Sequence, residues 1–196
     1  EKTFGPYRHD TFSLAEVDDI FSPAWSPDGA SILFSGMANG HVDLFLMDVA
    51  TGKVKRLTDD PFAEMQPAWS PDGKTVIYST ERFGSSLEQL AFADLQLAVM
   101  DLASGETRSL PAFPSGKHVG AQWSPDGSFI YFISDRDGIS NIYRMRAAGG
   151  EITQVTNLQT GVSGISKWSP AFSVAAKSER LVFSAFRQGQ YSLFLM

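Results

Sequence analysis

The sequence predicts an all-β fold, a β-propeller with about four blades of four antiparallel strands each. A recurring tryptophan motif, methionines in register and middle strands that are apolar on both faces support this prediction. The motif contains Trp25, Trp69, Trp123 and, in a degraded copy, Trp168, at intervals of 44, 54 and 45 residues. Strand-rich units that repeat at a period in the forties are typical of β-propellers.

Each unit opens with the tryptophan strand and a tight turn. The turn reads Ser-Pro-Asp-Gly at 26–29, 70–73 and 124–127. Pro presets φ, Asp can accept a hydrogen bond from the backbone two residues on, and Gly supplies a positive φ. A second strand is then predicted at 31–35, 75–79, 129–133 and 181–184.

A third strand ends each unit's apolar region. Its methionines are in register at Met47, Met100, Met145 and Met196. More polar outer strands are predicted at 55–58, 107–110 and 153–156. A sheet with one wet face would alternate apolar and polar residues, so the continuous apolar character of the middle strands indicates blades that pack on both faces.

We expect one domain over residues 1–196, with repeats at approximately 20–58, 66–110, 120–156 and 165–196. Residues 1–19, around Tyr7 to Ser13, are predicted to supply the outer strand of a preceding or a closing blade. The chain is then either an arc of a larger propeller or a four-bladed ring. An unpaired blade edge would also favour self-association.

Distances from Trp to Met locate two insertions. They are 22 residues in units one and three, 31 in unit two and 28 in unit four. We place nine extra residues within Phe83 to Gln96, where the spacing of Leu87, Leu90 and Ala91 is compatible with a short helix. Six extra residues are placed around Phe172 to Glu179, between the first and second strands of unit four.

Composition argues against several functions. Sixteen basic and 22 acidic residues give a net charge of −6 with no basic run, which disfavours nucleic-acid binding. The chain has no cysteine, and His9, His41 and His118 are scattered, so we predict no metal and no cofactor. No apolar stretch is long enough to span a bilayer. Gly161-Val162-Ser163-Gly164 lacks the second spacer of a nucleophile elbow, and we expect no catalysis.

The candidate site lies at one mouth of the propeller. Second-to-third-strand hairpins and interblade loops share this face, and their exposed cationic and apolar residues could meet a partner. The candidate partner-binding residues are Lys117, His118, Arg82, Arg136, Arg187, Leu87, Leu90 and Phe92.

Units of the form Pro-Ala-Trp-Ser-Pro-Asp-Gly-Lys, then Val-Ile-Tyr-Ser, then a Met-Asp strand and an Arg-Leu-Thr ending resemble the TolB-type propeller repeat, also called the WD40-like or PD40 repeat. The resemblance covers about residues 20 to 196. It implies a periplasmic or cell-envelope protein that binds a protein partner at one mouth of its channel. Related repeats form the propeller that precedes the catalytic domain of prolyl-oligopeptidase-like serine peptidases.

From these observations we predict a non-enzymatic, protein-binding scaffold. The alternative is the propeller portion of a prolyl-oligopeptidase-like serine peptidase.

Overall fold

A computed structural model describes residues 17–164 and 170–196, which form fifteen β-strands and no helix. Each strand is named here in chain order. The strands are β1 (Asp19–Trp25), β2 (Ser31–Ala38), β3 (His41–Asp48), β4 (Val54–Arg56), β5 (Glu64–Trp69), β6 (Thr75–Thr80), β7 (Gln96–Asp101), β8 (Thr107–Leu110), β9 (His118–Trp123), β10 (Phe129–Ser134), β11 (Asn141–Arg146), β12 (Ile152–Gln154), β13 (Phe172–Val174), β14 (Leu181–Arg187) and β15 (Gln190–Leu195).

The strands make four antiparallel sheets, each the blade of a β-propeller. Three blades have four strands in chain order, and the described part of the fourth has β13, β14 and β15. The innermost strands lie side by side, since β1 contacts β5, β5 contacts β9 and β9 contacts β13. Within residues 17–164 and 170–196 no strand of the first blade contacts a strand of the fourth. The segment predicted to close a ring lies outside the described residues, so the choice between an arc and a ring stays a prediction.

Hydrogen bonds within the turn explain the recurring Ser-Pro-Asp-Gly motif. Ser26 Oγ donates to Asp28 Oδ1 at 2.6 Å, and the amide of Ala30 donates to the same oxygen at 3.0 Å. These bonds lower the pKa of Asp28, the serine hydroxyl contributing most. Gly29 has a φ of 71°, which glycine adopts at no steric cost. The other two copies of the motif make the same serine-to-aspartate bond.

Each blade has a leading face, toward the preceding blade, and a trailing face, toward the following one. The trailing face of the first blade presents Leu33 and Leu44, which pack with Val76, Tyr78 and Met100 on the leading face of the second. Two further clusters join the second blade to the third and the third to the fourth. The prediction that the middle strands are buried on both faces is confirmed in the first three blades, whereas β15 of the fourth blade is largely exposed.

The fourth blade corrects the sequence alignment. Val174 pairs with Leu181, as Trp25 pairs with Ile32 and Trp123 with Ile130. Val174 precedes Met196 by 22 residues, the interval found in units one and three. Trp168 lies outside the described residues, and Val174 holds the position predicted for it. The six extra residues therefore come before the first strand of this blade.

The methionine register is confirmed in all four blades. Met47, Met100 and Met145 pair with Ile32, Val76 and Ile130, the second residue of the second strand in their blades. Met196 donates its amide to Leu181 O at 2.8 Å and accepts the Leu181 amide at 2.9 Å. Tyr7 to Ser13 and His9 lie outside the described residues.

Candidate functional site

Two kinds of connection form the mouth where we predicted binding, called the hairpin mouth below. It is made of the second-to-third-strand hairpins and the interblade loops. The hairpins are residues 39–40, 81–95, 135–140 and 188–189, and the described loop residues are 57–63, 111–117 and 155–164.

A channel runs along the innermost strands of all four blades. The open space along these strands is about 1310 Å³, and its wall includes Trp25, Trp69 and Trp123. Lys117 and Tyr191 are the ionisable residues in the described part of that wall. The described wall of the channel therefore offers little charge to a ligand.

Glutamine side chains tie the blades together along the channel wall. Gln66 Oε1 accepts the amide of Gly120 in the next blade at 2.8 Å. Gln122 accepts the amide of Val174 at 2.9 Å and donates its Nε2 to Phe172 O at 2.9 Å. Because these bonds cross blade boundaries, they hold the neighbouring inner strands in fixed register.

The insertion of the second blade is a tight turn, and the short helix is not formed. Ser86 donates its amide to Ala91 O at 2.8 Å, and Ala91 donates its amide back to Ser86 O at 2.9 Å. Ser85 Oγ accepts the amide of Ala93 at 3.0 Å. Leu90 lies in the left-handed region with a φ of 51°.

The three apolar candidates of this insertion are all exposed. Leu90 is 78% exposed, Phe92 is 71% exposed and Leu87 is 42% exposed. Their exposure agrees with the surface predicted from the sequence. Leu95 O accepts the amide of His118 at 2.7 Å, which joins the end of the insertion to the next interblade loop.

The three arginines occupy one register position. Arg82, Arg136 and Arg187 each follow the tryptophan position of their blade by 13 residues, Val174 taking that position in the fourth. Arg82 pairs with Asp60 and Glu64, so it stabilises the boundary between the first two blades. Arg136 and Arg187 are exposed, so two of the three arginines are accessible at the hairpin mouth.

Arg136 and Lys117 sit against a common support. The Arg136 guanidinium lies 4.2 Å from the centroid of the Phe113 ring, a cation–π contact, and its Nε lies 3.2 Å from Asp137 Oδ2. Lys117 donates its amide to Asp135 Oδ1 at 2.8 Å, and its Nζ lies 3.4 Å from Asp135 Oδ2. Both cationic groups are held in place while still exposed.

The structure corrects the role predicted for His118. Its side chain is fully buried, with Nε2 3.0 Å from Phe113 O and Nδ1 3.1 Å from Ser134 Oγ. A carbonyl oxygen only accepts, so Nε2 carries a proton and donates. His118 therefore anchors an interblade loop and does not reach a partner.

A buried polar cluster between the first two blades escaped the sequence reasoning. Thr58 Oγ1 donates to the fully buried Glu64 at 2.7 Å and accepts the amide of Leu44 at 2.9 Å. Desolvation raises the pKa of Glu64 to about 8, with Asp43 and Glu81 acting in the same direction. Glu64 and His118 both stand five residues before their tryptophan, and this shared polar position was the available signal.

Metal ligands and membrane helices are not found in the described ranges. No group of three or more His, Asp and Glu side chains at 17–164 and 170–196 could hold a metal ion. The same residues contain no helix with the length and apolar character needed to cross a membrane.

Comparison with known proteins shows that the fold is similar to that of TolB propellers. The PD40 family, described as the TolB beta propeller domain, matches residues 13–90. The crystal structure of TolB from Acinetobacter baumannii has a TM-score of 0.70 at 23% identity, over 91% of this chain and 41% of that one. At this identity the likeness shows the fold.

Two proteins with related sequences carry different names, one a TolB protein and the other a peptidase. Tol-Pal system protein TolB of Francisella tularensis subsp. holarctica is 32% identical over 66% of this chain. Dipeptidyl-peptidase 5 of Porphyromonas gingivalis is 30% identical over 79% of this chain. The chain spans 28% and 23% of the length of these two relatives, about a quarter of each. The repeats, the blades and these similarities together show a β-propeller whose repeats are similar to those of the TolB (PD40) family.

Proposed function

We propose that this propeller is a non-enzymatic scaffold that binds a protein partner at its hairpin mouth, in the periplasm or cell envelope. One observation supports the proposal above all. The insertion of the second blade presents Leu90 and Phe92 to solvent on a hydrogen-bonded turn, and its end is bonded to His118, which follows Lys117. The Phe113 ring of the same interblade loop supports Arg136. Exposed apolar side chains on a rigid support, with charges nearby, are characteristic of binding surfaces.

The backbone of Leu90 strengthens this interpretation. A non-glycine residue in the left-handed region costs about 1–2 kcal/mol. Leu90 is mostly exposed, so its side chain returns little of that cost through burial. Strained residues of this kind cluster at functional sites. Leu90 contributes little to the stability of the fold, and contact with a partner would account for a leucine at this position.

Rigidity of the mouth lowers the entropy lost on binding. The reciprocal hydrogen bonds between Ser86 and Ala91 close the turn, and the hydrogen bond from the His118 amide to Leu95 O holds the end of the insertion. A surface that is ordered before association loses less conformational freedom when the partner arrives. We expect Arg136, Arg187 and Lys117 to act mainly on the rate of association with an acidic partner surface.

The peptidase alternative is not adopted. Its support is the similarity to dipeptidyl-peptidase 5, but that similarity falls on repeats of the type that TolB proteins also carry. It therefore does not distinguish a scaffold from the propeller of a peptidase.

Site-specific photo-cross-linking in the bacterial envelope tests the proposal. A photoreactive amino acid at Leu90 should capture a discrete protein, which is then purified and titrated with the unmodified chain. The control places the same probe at Ala103, an exposed residue at the opposite end of the same blade. Capture at Ala103 but not at Leu90, or a captured protein that does not bind in the titration, would overturn the proposal.

A further inference from the structure

The third blade departs from the repeat at the end of β11. In the first two blades the residue after the methionine in register is Asp48 or Asp101, whose Oδ1 accepts an amide of its own turn at 2.8 Å. The third blade has Arg146 at this position. The cross-strand partner of Arg146 is Phe129, which replaces the serine and the threonine of the first two blades. An aromatic ring and a cation therefore occupy positions that are polar or acidic elsewhere in the repeat.

A second arginine of β11 lies on the same face. Arg144 precedes Arg146 by two residues, so strand alternation directs both side chains toward the fourth blade. The residues that share the register position of Arg144 are apolar, Leu46 in the first blade and Val99 in the second. The third blade thus differs from its neighbours at three adjoining positions, and all three changes bring a guanidinium or a ring to one place.

The ring of Phe129 supports both guanidinium groups. The Cζ atom of Arg144 lies 4.5 Å from the ring centroid, and the Cζ atom of Arg146 lies 5.4 Å from it. Phe129 is itself packed against the apolar cluster between the third and fourth blades, so the ring is held in place. A cation–π contact orients a guanidinium group but uses none of its N–H donors, which stay available for an anion.

Neither guanidinium group has an anionic partner in the described chain. Every ion pair among residues 17–164 and 170–196 is made by other side chains. Arg144 is half-buried, and contact with a ring offsets only part of the cost of removing its charge from water. Two cations without carboxylates, in a chain of net charge −6, indicate a site that a bound oxyanion would complete.

We propose that Arg144 and Arg146 form a binding site for a phosphate group. Guanidinium groups donate pairs of parallel hydrogen bonds to oxyanions. A phosphate monoester carries a charge of about −1.5 to −2 near neutral pH, which matches two arginines better than the single charge of a carboxylate. The site lies at the end of the third blade opposite the hairpin mouth, so it is independent of the proposed function.

NMR titration with inorganic phosphate at constant ionic strength tests the site. The backbone amide and Nε–Hε resonances of Arg144 and Arg146 should shift together, with a dissociation constant on the order of 1 mM. Arg144→Gln combined with Arg146→Gln should weaken binding at least about tenfold, as read from the backbone amides. The matched control is Lys55→Gln combined with Arg108→Gln, which removes the same charge from exposed positions elsewhere and should bind like the wild type.

A further variant separates the arrangement of the arginines from their charge. Phe129→Leu keeps an apolar side chain against the fourth blade but removes the ring, so affinity for phosphate should fall about two- to fivefold with both arginines present. Succinate at the same ionic strength should bind more weakly than phosphate. Wild-type resonances that phosphate does not shift, an equal loss of affinity in the control, or tighter binding of succinate would each overturn the proposal.

Discussion

Trp69 donates its indole N–H to the carbonyl oxygen of Ala24 at 3.1 Å, which bonds the second blade to the inner strand of the first. Trp123 occupies the same position in the third blade, yet its buried Nε1 has no hydrogen-bond partner among the described residues. The repeated tryptophan thus packs at both blade boundaries, first to second and second to third, but its indole N–H makes a hydrogen bond only at the first.

This difference predicts unequal costs for the same substitution. Trp69→Phe and Trp123→Phe remove similar aromatic volume, but only the first also removes a hydrogen bond. We expect Trp69→Phe to lower the free energy of unfolding by about 1 kcal/mol more than Trp123→Phe. Urea denaturation of the two variants measures the difference. Equal losses would show that the bond to Ala24 does not contribute to stability.

The buried Glu64 predicts a pH dependence. An unfolded glutamate loses its proton near pH 4.5, whereas the folded protein holds it until about pH 8. Between these values the folded state binds more protons, so the free energy of unfolding should fall as pH rises through this window. The stabilisation is complete below pH 4.5 and is lost above pH 8.

A glutamine at this position isolates the effect. Glu64→Gln keeps the size of the side chain and cannot ionise, so its stability should vary less with pH across that window. The quantity to compare is the difference between variant and wild type in urea denaturation, which cancels the other titrating groups. Parallel pH profiles would mean that Glu64 ionises normally in the folded protein.

Strain at Leu90 predicts that a substitution stabilises the fold. Asparagine tolerates the left-handed region better than leucine, and Leu90 buries little surface. We expect Leu90→Asn to raise the free energy of unfolding by about 0.5–1 kcal/mol. Phe92→Asn, at an exposed position without positive φ, should give no such gain. Thermal unfolding that ranks the two variants in the opposite order would refute the strain.

The insertion also shows where sequence reasoning fell short. The spacing of Leu87, Leu90 and Ala91 fits a helix, but a segment this short gains too few hydrogen bonds to offset nucleation. The antiparallel strands on either side brought Ser86 and Ala91 together, and their bonds closed a turn instead. Exposure of the leucines followed from their place on the hairpin mouth, which the repeat pattern had predicted.

The sequence alignment of the fourth blade was wrong for a different reason. The Trp-Ser-Pro motif drew the alignment to Trp168, whereas strand pairing is fixed by the apolar positions that each face must bury. Val174 fills the tryptophan position because it faces the third blade, as Trp123 faces the second. The sequence marks His118 and Glu64 by their shared polar position, but it does not show that they are buried, since their burial depends on loops that follow the preceding blade.

The binding role of the hairpin mouth is tested most directly by the affinity of the photo-captured partner for a variant that alters only the exposed apolar contacts. Isothermal titration should show that Leu90→Ser with Phe92→Ser weakens binding at least about tenfold, as expected when apolar anchors are removed from an interface. Ala103→Ser, at the other end of the blade, should bind like the wild type. Unchanged affinity in the double variant would contradict a partner-binding hairpin mouth.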